Sequence, residues 1–191
     1  MVREWPRPTA SRERTRGQGH TRSMRPTHTR RADHSSPALL RYGTASAAVT
    51  AAAAVGASAV DADSAWYRAL RKPPWQPPPW SFGAVWTPLY ASVAYAAGHA
   101  LGRTRDTRRR RWLAASLAVD LALNAGWNRL FFGRRSPRAG LVGTLLLDLA
   151  NADLLRRTAQ VDRTAARALL PYTAWCGFAT ALNASLVRRN R

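Results

Sequence analysis

Aromatic and amide side chains recur at helical spacing in three apolar segments of this 191-residue chain. Trp86 and Tyr90 lie four residues apart, so on a helix they share one face. Asn124 and Trp127 share a face in the next such segment. In the last segment a four-residue period links Pro171, Trp175, Ala179 and Asn183. Indole and phenol rings stack on flat apolar ligands, and an amide can hydrogen-bond to a heteroatom at the ligand edge. The spacing predicts a pocket for such a ligand, and the alternative is that these rings fill the core of a helical bundle.

Five apolar segments must position these side chains, at about residues 38–60, 82–101, 112–133, 139–155 and 169–187. Each is close to the ~20 residues that a membrane-spanning helix needs, and the short pieces between them carry arginines, as loops beside a membrane do. Residues 38–191 are therefore predicted to form an all-α bundle of five transmembrane helices, so the chain is expected to be a multi-pass integral membrane protein. For any single segment, the Ala-rich helix of a soluble bundle is the alternative.

Three aspartates lie inside these segments, and each would cost about 2.5–3.5 kcal/mol at the centre of a bilayer. Asp153 precedes Arg156 and Arg157 by one helical turn, so it can form ion pairs near the interface. Asp120 and Asp148 have no such neighbour. Both are therefore expected to face protein or water inside the bundle.

Residues 1–37 contain Arg, Ser, Thr, Pro, Gly and His with hardly any aliphatic residues. Such a segment cannot bury enough apolar surface to fold, so we predict a disordered basic tail, either a solvating arm or a segment attracted to anionic lipid headgroups. The net charge of +20 would also suit nucleic acid, but the apolar segments favour a membrane, and no nucleic-acid partner is expected. A signal peptide cleaved near Ala57, Ser58 and Ala59 is the alternative for the first segment.

The distribution of Lys and Arg bears on orientation in the membrane. With five spans, the first forty-one residues and the loops at 103–111 and 156–167 share one side and carry twenty of the thirty basic residues. The positive-inside rule then places the N-terminus in the cytoplasm. Without those first forty-one residues, which contain the tail and Arg41, each side carries ten, so this orientation depends on the tail.

The third apolar segment has a second face made of small residues, roughly opposite Asn124. Its members recur at every fourth position: Ala114, Ala118, Ala122 and Gly126. Small residues let helix backbones approach closely, so this ladder is predicted to form a homodimer interface.

A connector, residues 66–80, joins the first two apolar segments, and its Pro-rich part is KPPWQPPPW from Lys72. Proline fixes backbone φ, so the connector is stiff before any ligand binds. The plain explanation of Trp66, Trp75 and Trp80 is an aromatic belt at the membrane–water boundary.

Four ordered sequence blocks resemble the TspO/MBR family, the tryptophan-rich sensory proteins of bacteria and the mitochondrial translocator protein. The blocks are WYRALRKPPWQPP from Trp66, FGAVWTPLY from Phe82, LALNAGWNRLFFG from Leu121 and PYTAWCGFATALN from Pro171. The resemblance implies a five-helix membrane protein, often a homodimer, that binds porphyrins and haem, and in mitochondrial members cholesterol. By motif, it implies that Trp86, Asn124, Trp175 and Ala179 contact the ligand.

On this basis the expected function is tetrapyrrole binding for sensing or transport, with porphyrin or haem as ligand and no further cofactor. Trp86 and Trp175 would stack on the macrocycle, beside Tyr90 and Trp127, and Asn124 would donate to its edge. The connector would form a lid through Trp66, Lys72, Trp75 and Trp80, and Arg68, Arg71 or Lys72 would pair with propionates. The alternative is enzyme-like, light-driven oxidative breakdown of protoporphyrin in the same pocket, with Trp86 and Trp175 as the reactive residues.

Other chemistry has little support in the sequence. Cys176 is the single cysteine, and His99 is the one histidine in a predicted span, so a metal site is not expected. No protease, esterase or phosphate-loop motif occurs, so a binding protein is favoured over an enzyme. The stretch LNASLVRR from Leu182 lacks the tyrosine of the mitochondrial cholesterol pattern, which lowers the expectation of sterol binding.

Overall fold

Six α-helices and no β-strand make up residues 36–191, which are the residues that the computed structural model describes. The helices are α1 (Ser36–Ala57), α2 (Ala65–Ala69), α3 (Pro79–Arg103), α4 (Thr107–Asn128), α5 (Pro137–Val161) and α6 (Arg163–Arg189). The predicted all-α bundle of five long helices is confirmed. The predicted tail at residues 1–37 lies outside the described residues, except that its last two residues begin α1.

Side-chain caps explain why two helices begin before the apolar segments that predicted them. The Asp106 carboxylate accepts a hydrogen bond from the backbone N–H of Arg108 at 2.8 Å, and the Asp162 carboxylate accepts one from Ala165 at 2.8 Å. Such caps satisfy backbone donors that have no partner in the first turn of a helix. The helices α4 and α6 therefore begin with arginine-rich turns, which a prediction based on apolar segments does not include.

A π-helical turn, Arg129–Gly133, continues α4 to the end of the predicted third segment. In this turn the backbone N–H of Arg134 donates to the carbonyl oxygen of Arg129, five residues back, at 3.2 Å. The wider turn changes which side chains face inward, as π-turns at functional sites often do. As a result, the consecutive residues Phe131 and Phe132 line the same cavity.

The bundle core lies where α3, α4, α5 and α6 meet, and α1 packs against α3 and α4. The helices α1 and α3 approach closely, and a Cβ atom at Gly98 would collide with the Tyr42 ring. The Tyr42 hydroxyl is 3.1 Å from His99 Nδ1, and His99 Nε2 is 3.6 Å from Asp162. His99 is thus held in hydrogen-bonded packing, and it does not line the cavity described below.

The three aspartates of the apolar segments have the partners that the sequence predicts. Asp120 is 0 % exposed. Asp148 accepts a hydrogen bond from Thr180 Oγ1 at 2.6 Å. Asp153 pairs with Arg156 at 2.9 Å and Arg157 at 2.6 Å. The first two face other helices, and the third forms the ion pairs expected with the arginines one helical turn further on.

Among the described helices, one is both long and apolar enough to cross a membrane by composition alone, over Pro37–Ala57. Arginine-rich ends and buried polar side chains lower the apolarity of α4, α5 and α6. On α4 the ladder residues Ala114, Ala118 and Ala122 are exposed and Gly126 is half-buried, while Asp120 faces the interior. The small-residue face is therefore largely exposed within the described chain, and its role as a dimer interface stays a prediction.

Candidate ligand-binding cavity

A cavity of about 730 Å³ lies among the five long helices, next to the connector between α1 and α3. All six predicted pocket residues line it: Trp86, Tyr90, Asn124, Trp127, Trp175 and Ala179. The structure therefore brings together side chains from α3, α4 and α6 that the sequence could only assign to helix faces. That they contact a ligand stays a prediction.

Aromatic rings make up two walls of the cavity. On α3, Trp86 stacks on Tyr90 with ring centroids 5.0 Å apart and an interplanar angle of 26°. On α6, Trp175 stacks on Phe178 at 5.1 Å and 29°. The rings of Phe82 and Trp175 pack edge-to-face with their centroids 6.1 Å apart, and this contact joins the two walls. Rings held by such mutual packing offer large apolar faces with little freedom left to lose on binding.

Asn124 is buried at 6 % exposure, and its amide is already engaged. Its Oδ1 accepts a hydrogen bond from Tyr90 Oη at 3.0 Å, and its Nδ2 donates to Tyr172 Oη at 3.3 Å. Tyr172 in turn donates to Asp120 Oδ2 at 2.9 Å. One N–H of Asn124 is left without a partner in this arrangement, so the predicted donation to a ligand edge is geometrically open but limited to that hydrogen.

Trp127 presents its ring to the cavity while its N–H is used elsewhere. The indole Nε1 donates to the carbonyl oxygen of Gly140 on α5 at 3.1 Å. The ring stacks on Phe131 at 5.2 Å with an interplanar angle of 16°. Trp127 is therefore an apolar wall residue and a tie between α4 and α5.

The connector reaches the cavity through residues other than the four predicted lid side chains. Trp66 packs edge-on against Phe131 at 5.3 Å, and Trp75 packs against Phe178 at 5.7 Å. Trp80 is 76 % exposed, and none of these tryptophans lines the cavity. The indoles of Trp66 and Trp75 instead pack the connector against the bundle.

Tyr67 and Gln76 are the polar connector side chains that line the cavity, and sequence reasoning missed both. Gln76 Nε2 donates to the Tyr67 hydroxyl at 3.2 Å, and the Lys72 ammonium lies 4.0 Å from the centre of the Tyr67 ring. Burial raises the pKa of Tyr67, so its phenol stays neutral at ordinary pH. Lys72 thus lies behind Tyr67 and is not itself part of the cavity wall.

The end of α6 holds the connector in place. The backbone N–H of Arg71 donates to Asn190 Oδ1 at 2.9 Å, and Asn190 Nδ2 donates back to the Arg71 carbonyl at 3.1 Å. This two-bond clamp joins positions that lie 119 residues apart in the sequence. The connector is therefore anchored at its centre and not only stiffened by its prolines.

Four phenylalanines of the cavity also escaped the sequence analysis: Phe82, Phe131, Phe132 and Phe178. Phe82 lies four residues before Trp86 and Phe131 lies four residues after Trp127, so the spacing that found those tryptophans extends to both. Phe178 lies three residues after Trp175, again about one helical turn. Phe132 carries no such signal, because an ordinary α-helix would point its side chain about 100° away from that of Phe131.

Comparison with known proteins assigns the family. The model of the TspO/MBR family matches residues 44–189, which include every residue of the cavity wall. The chain belongs to the TspO/MBR family. The Tryptophan-rich protein TspO of Chlorobaculum tepidum is 36 % identical over 125 residues, 65 % of this chain and 79 % of that protein. The human Translocator protein is 37 % identical over 126 residues, 65 % of this chain and 75 % of that one.

A third TspO/MBR relative covers more of the chain. Protein CrtK of Rhodobacter capsulatus is 32 % identical over 142 residues, 74 % of this chain and 89 % of that protein. The family resemblance inferred from the four sequence blocks is therefore confirmed. TspO/MBR proteins are membrane proteins, and so is this chain.

Proposed function

We propose that this chain is a multi-pass membrane protein that binds a tetrapyrrole, a porphyrin or haem, in the cavity among its helices, as a sensor or carrier of that ligand. The cavity carries the proposal. Its volume of about 730 Å³ lies within the ~300–1,000 Å³ typical of small-molecule sites, and its walls are mostly aromatic and aliphatic. A flat macrocycle can place its faces against Trp86 and Trp175, which belong to separate helices.

Helix length supports the multi-pass arrangement. The five long helices have 22 to 27 residues, and at about 1.5 Å per residue even the shortest extends about 33 Å, enough to cross a hydrocarbon core of about 30 Å. Polar groups on them, such as Asp120, face other helices. We assign the N-terminus to the cytoplasm, because that side would carry twenty of the thirty basic residues.

The connector would contribute the charge that a tetrapyrrole's propionates need. Lys72 lies 4.0 Å from the Tyr67 ring, so a small change of its side-chain rotamer can bring the ammonium to the cavity rim. Arg68 and Arg71 are exposed on the same connector. A propionate at this end of the cavity would form charge-assisted hydrogen bonds with them.

We also propose a homodimer formed through the ladder Ala114, Ala118, Ala122 and Gly126. The exposure of the first three residues on α4 supports it, because side chains of this size allow two helices to approach closely in a membrane.

The test of the binding function is an equilibrium titration of the detergent-purified protein with protoporphyrin and with haem, in the dark and under light. Saturable one-to-one binding is expected in the dark, with the ligand recovered unchanged. Failure of both ligands to bind would remove the proposal. Disappearance of protoporphyrin into a new absorbing product under light, abolished by Trp175→Phe, would favour the photo-oxidative alternative instead.

A further inference from the structure

A chain of hydrogen bonds runs from the cavity wall into the bundle interior. It links Tyr90 on α3, Asn124 on α4, Tyr172 on α6 and Asp120 on α4, with bonds of 3.0, 3.3 and 2.9 Å in that order. We call this set the relay. Asp120 at its inner end is 0 % exposed, and no Lys, Arg or His among residues 36–191 lies within 4.0 Å of its carboxylate. Its Oδ1 atom has no hydrogen-bond partner there.

The carboxyl group of Asp120 sets the direction of the bonds in the relay. Its Oδ2 accepts a hydrogen bond from Tyr172 Oη, and a carboxyl oxygen without a proton can only accept, whether the group is ionised or carries its proton on Oδ1. Tyr172 Oη has then used its only hydrogen and can only accept from Asn124. The amide nitrogen of Asn124 therefore faces Tyr172, and the amide oxygen faces Tyr90. Tyr90 gives its hydrogen to Asn124, and its own oxygen has only lone pairs left for the cavity.

We propose that Asp120 is a positioning residue that makes Tyr90 a hydrogen-bond acceptor, and that the cavity thereby selects flat ligands with an N–H or O–H donor on the edge that meets Tyr90. The inference rests on the proposed ligand pocket, and for a tetrapyrrole the donor at that edge would be the O–H of a propionic acid group, since the ring N–H groups of a porphyrin point to its centre. Tyr90 lines the cavity and stacks on Trp86 at 5.0 Å, so a ring system that packs on this wall also meets the Tyr90 oxygen.

Removal of the acceptor at position 120 lets the relay reverse. Tyr172 can then donate to Asn124, the amide turns over, and its nitrogen faces Tyr90. Tyr90 regains a free O–H and offers a donor to the cavity. A ligand whose edge does not match the group that Tyr90 offers binds more weakly. The loss exceeds the contribution of one hydrogen bond, because a buried polar group is then left without a partner.

Two probes that differ by a single donor test this selection: carbazole, a flat tricycle with a ring N–H, and N-methylcarbazole, which lacks it. Their affinities for the detergent-purified full chain are measured by equilibrium dialysis, and the readout is their ratio. The ratio is the affinity for carbazole divided by the affinity for N-methylcarbazole. We expect this ratio to be about 5- to 10-fold higher in the wild-type protein than in Asp120→Leu, because one hydrogen bond contributes ~1 kcal/mol. Tyr172→Phe, which cuts the relay with Asp120 in place, should give the same ratio as Asp120→Leu.

A general loss of stability changes both affinities together and leaves their ratio alone, so the ratio separates positioning from mere support of the fold. Equal ratios in the wild-type protein and Asp120→Leu overturn the inference. If Asp120→Leu does not fold, Tyr172→Phe decides alone, since it removes one oxygen atom, and an unchanged ratio there overturns the inference. Failure of the wild-type protein to bind either probe would overturn the pocket itself.

Discussion

Trp86 and Tyr90 stack on each other, with ring centroids 5.0 Å apart, and both line the cavity. Because they lie one turn apart on α3, the helix itself sets their spacing. Tyr172 meets Trp86 edge-on at 6.2 Å from α6, so the indole is held from two sides. A ligand that enters the cavity thus meets a wall that is already ordered, and little conformational freedom is lost on binding.

Replacing Trp86 with alanine should weaken porphyrin binding by about 1–3 kcal/mol, the range for losing a buried aromatic contact. Equilibrium titration by fluorescence quenching measures the change. Trp112→Ala is the matched control, because Trp112 is exposed on α4 outside the cavity, where Arg157 lies 5.6 Å from its ring. Equal affinities in the two variants would remove Trp86 from the binding site.

Asn190→Ala should release the connector, because it removes both hydrogen bonds to Arg71. At about 0.5–1.5 kcal/mol each, their loss should speed amide hydrogen exchange across residues 66–80 several-fold or more. Arg188→Ala, an exposed change near the same helix end, should leave exchange there unaltered. If exchange in the connector is the same in Asn190→Ala as in the wild-type protein, the clamp does not hold it.

Asp162→Ala should destabilise the fold by about 0.5–2 kcal/mol through the loss of the α6 cap. The Ala165 N–H bond, aided by Arg103, holds the pKa of Asp162 below its ordinary value. The group is thus ionised more readily in the folded state, so its stabilising contribution is complete above the unfolded pKa of about 3.9 and is lost as pH falls through the lower folded pKa.

Thermal unfolding of the wild-type protein and Asp162→Ala at a series of pH values checks this dependence. The gap between their midpoints should be constant near neutral pH and should shrink below about pH 4. Thr164→Ala, an exposed change within the same turn, is the control for local helix propensity. A gap that grows on acidification would contradict the assigned role of Asp162.

Ala118→Leu should shift the chemically crosslinked dimer toward monomer, because a larger side chain keeps two α4 helices from approaching closely. Ala159→Leu makes the same change at an exposed position on α5 and should leave the dimer intact. An unchanged dimer in Ala118→Leu would take the ladder out of the interface.

Local patterns in the sequence predicted most of the architecture. The apolar segments located the five long helices, because the apolarity of a segment can be read from its own composition without knowledge of distant contacts. The i, i+4 spacing predicted which residues would share a face, and Trp86, Tyr90 and Trp175 do line one cavity. Helix ends were less predictable from apolarity, because Asp106 and Asp162 cap helices whose first turns are rich in arginine.

The connector and the relay depend on contacts between distant parts of the chain. Nothing near Trp66 or Trp75 in sequence indicates that they pack on Phe131 and Phe178 and leave Tyr67 and Gln76 to line the cavity. The sequence predicts that Asn124 donates to a ligand edge, but it gives no sign that Tyr90 and Tyr172 from other helices already hydrogen-bond to its amide. Phe132 faces the cavity only because a π-turn replaces the α-helical register.

The most direct test of the central claim is to fill the cavity. Ala179 lines it on α6, whereas Ala181, two residues along the same helix, is exposed and does not. Protoporphyrin affinity is measured by equilibrium titration for Ala179→Phe and Ala181→Phe, together with the unfolding midpoint of each. If the ligand occupies the cavity, Ala179→Phe should lower affinity at least tenfold, about 1.4 kcal/mol, while Ala181→Phe binds as the wild-type protein does. Wild-type affinity in a folded Ala179→Phe protein would contradict the account.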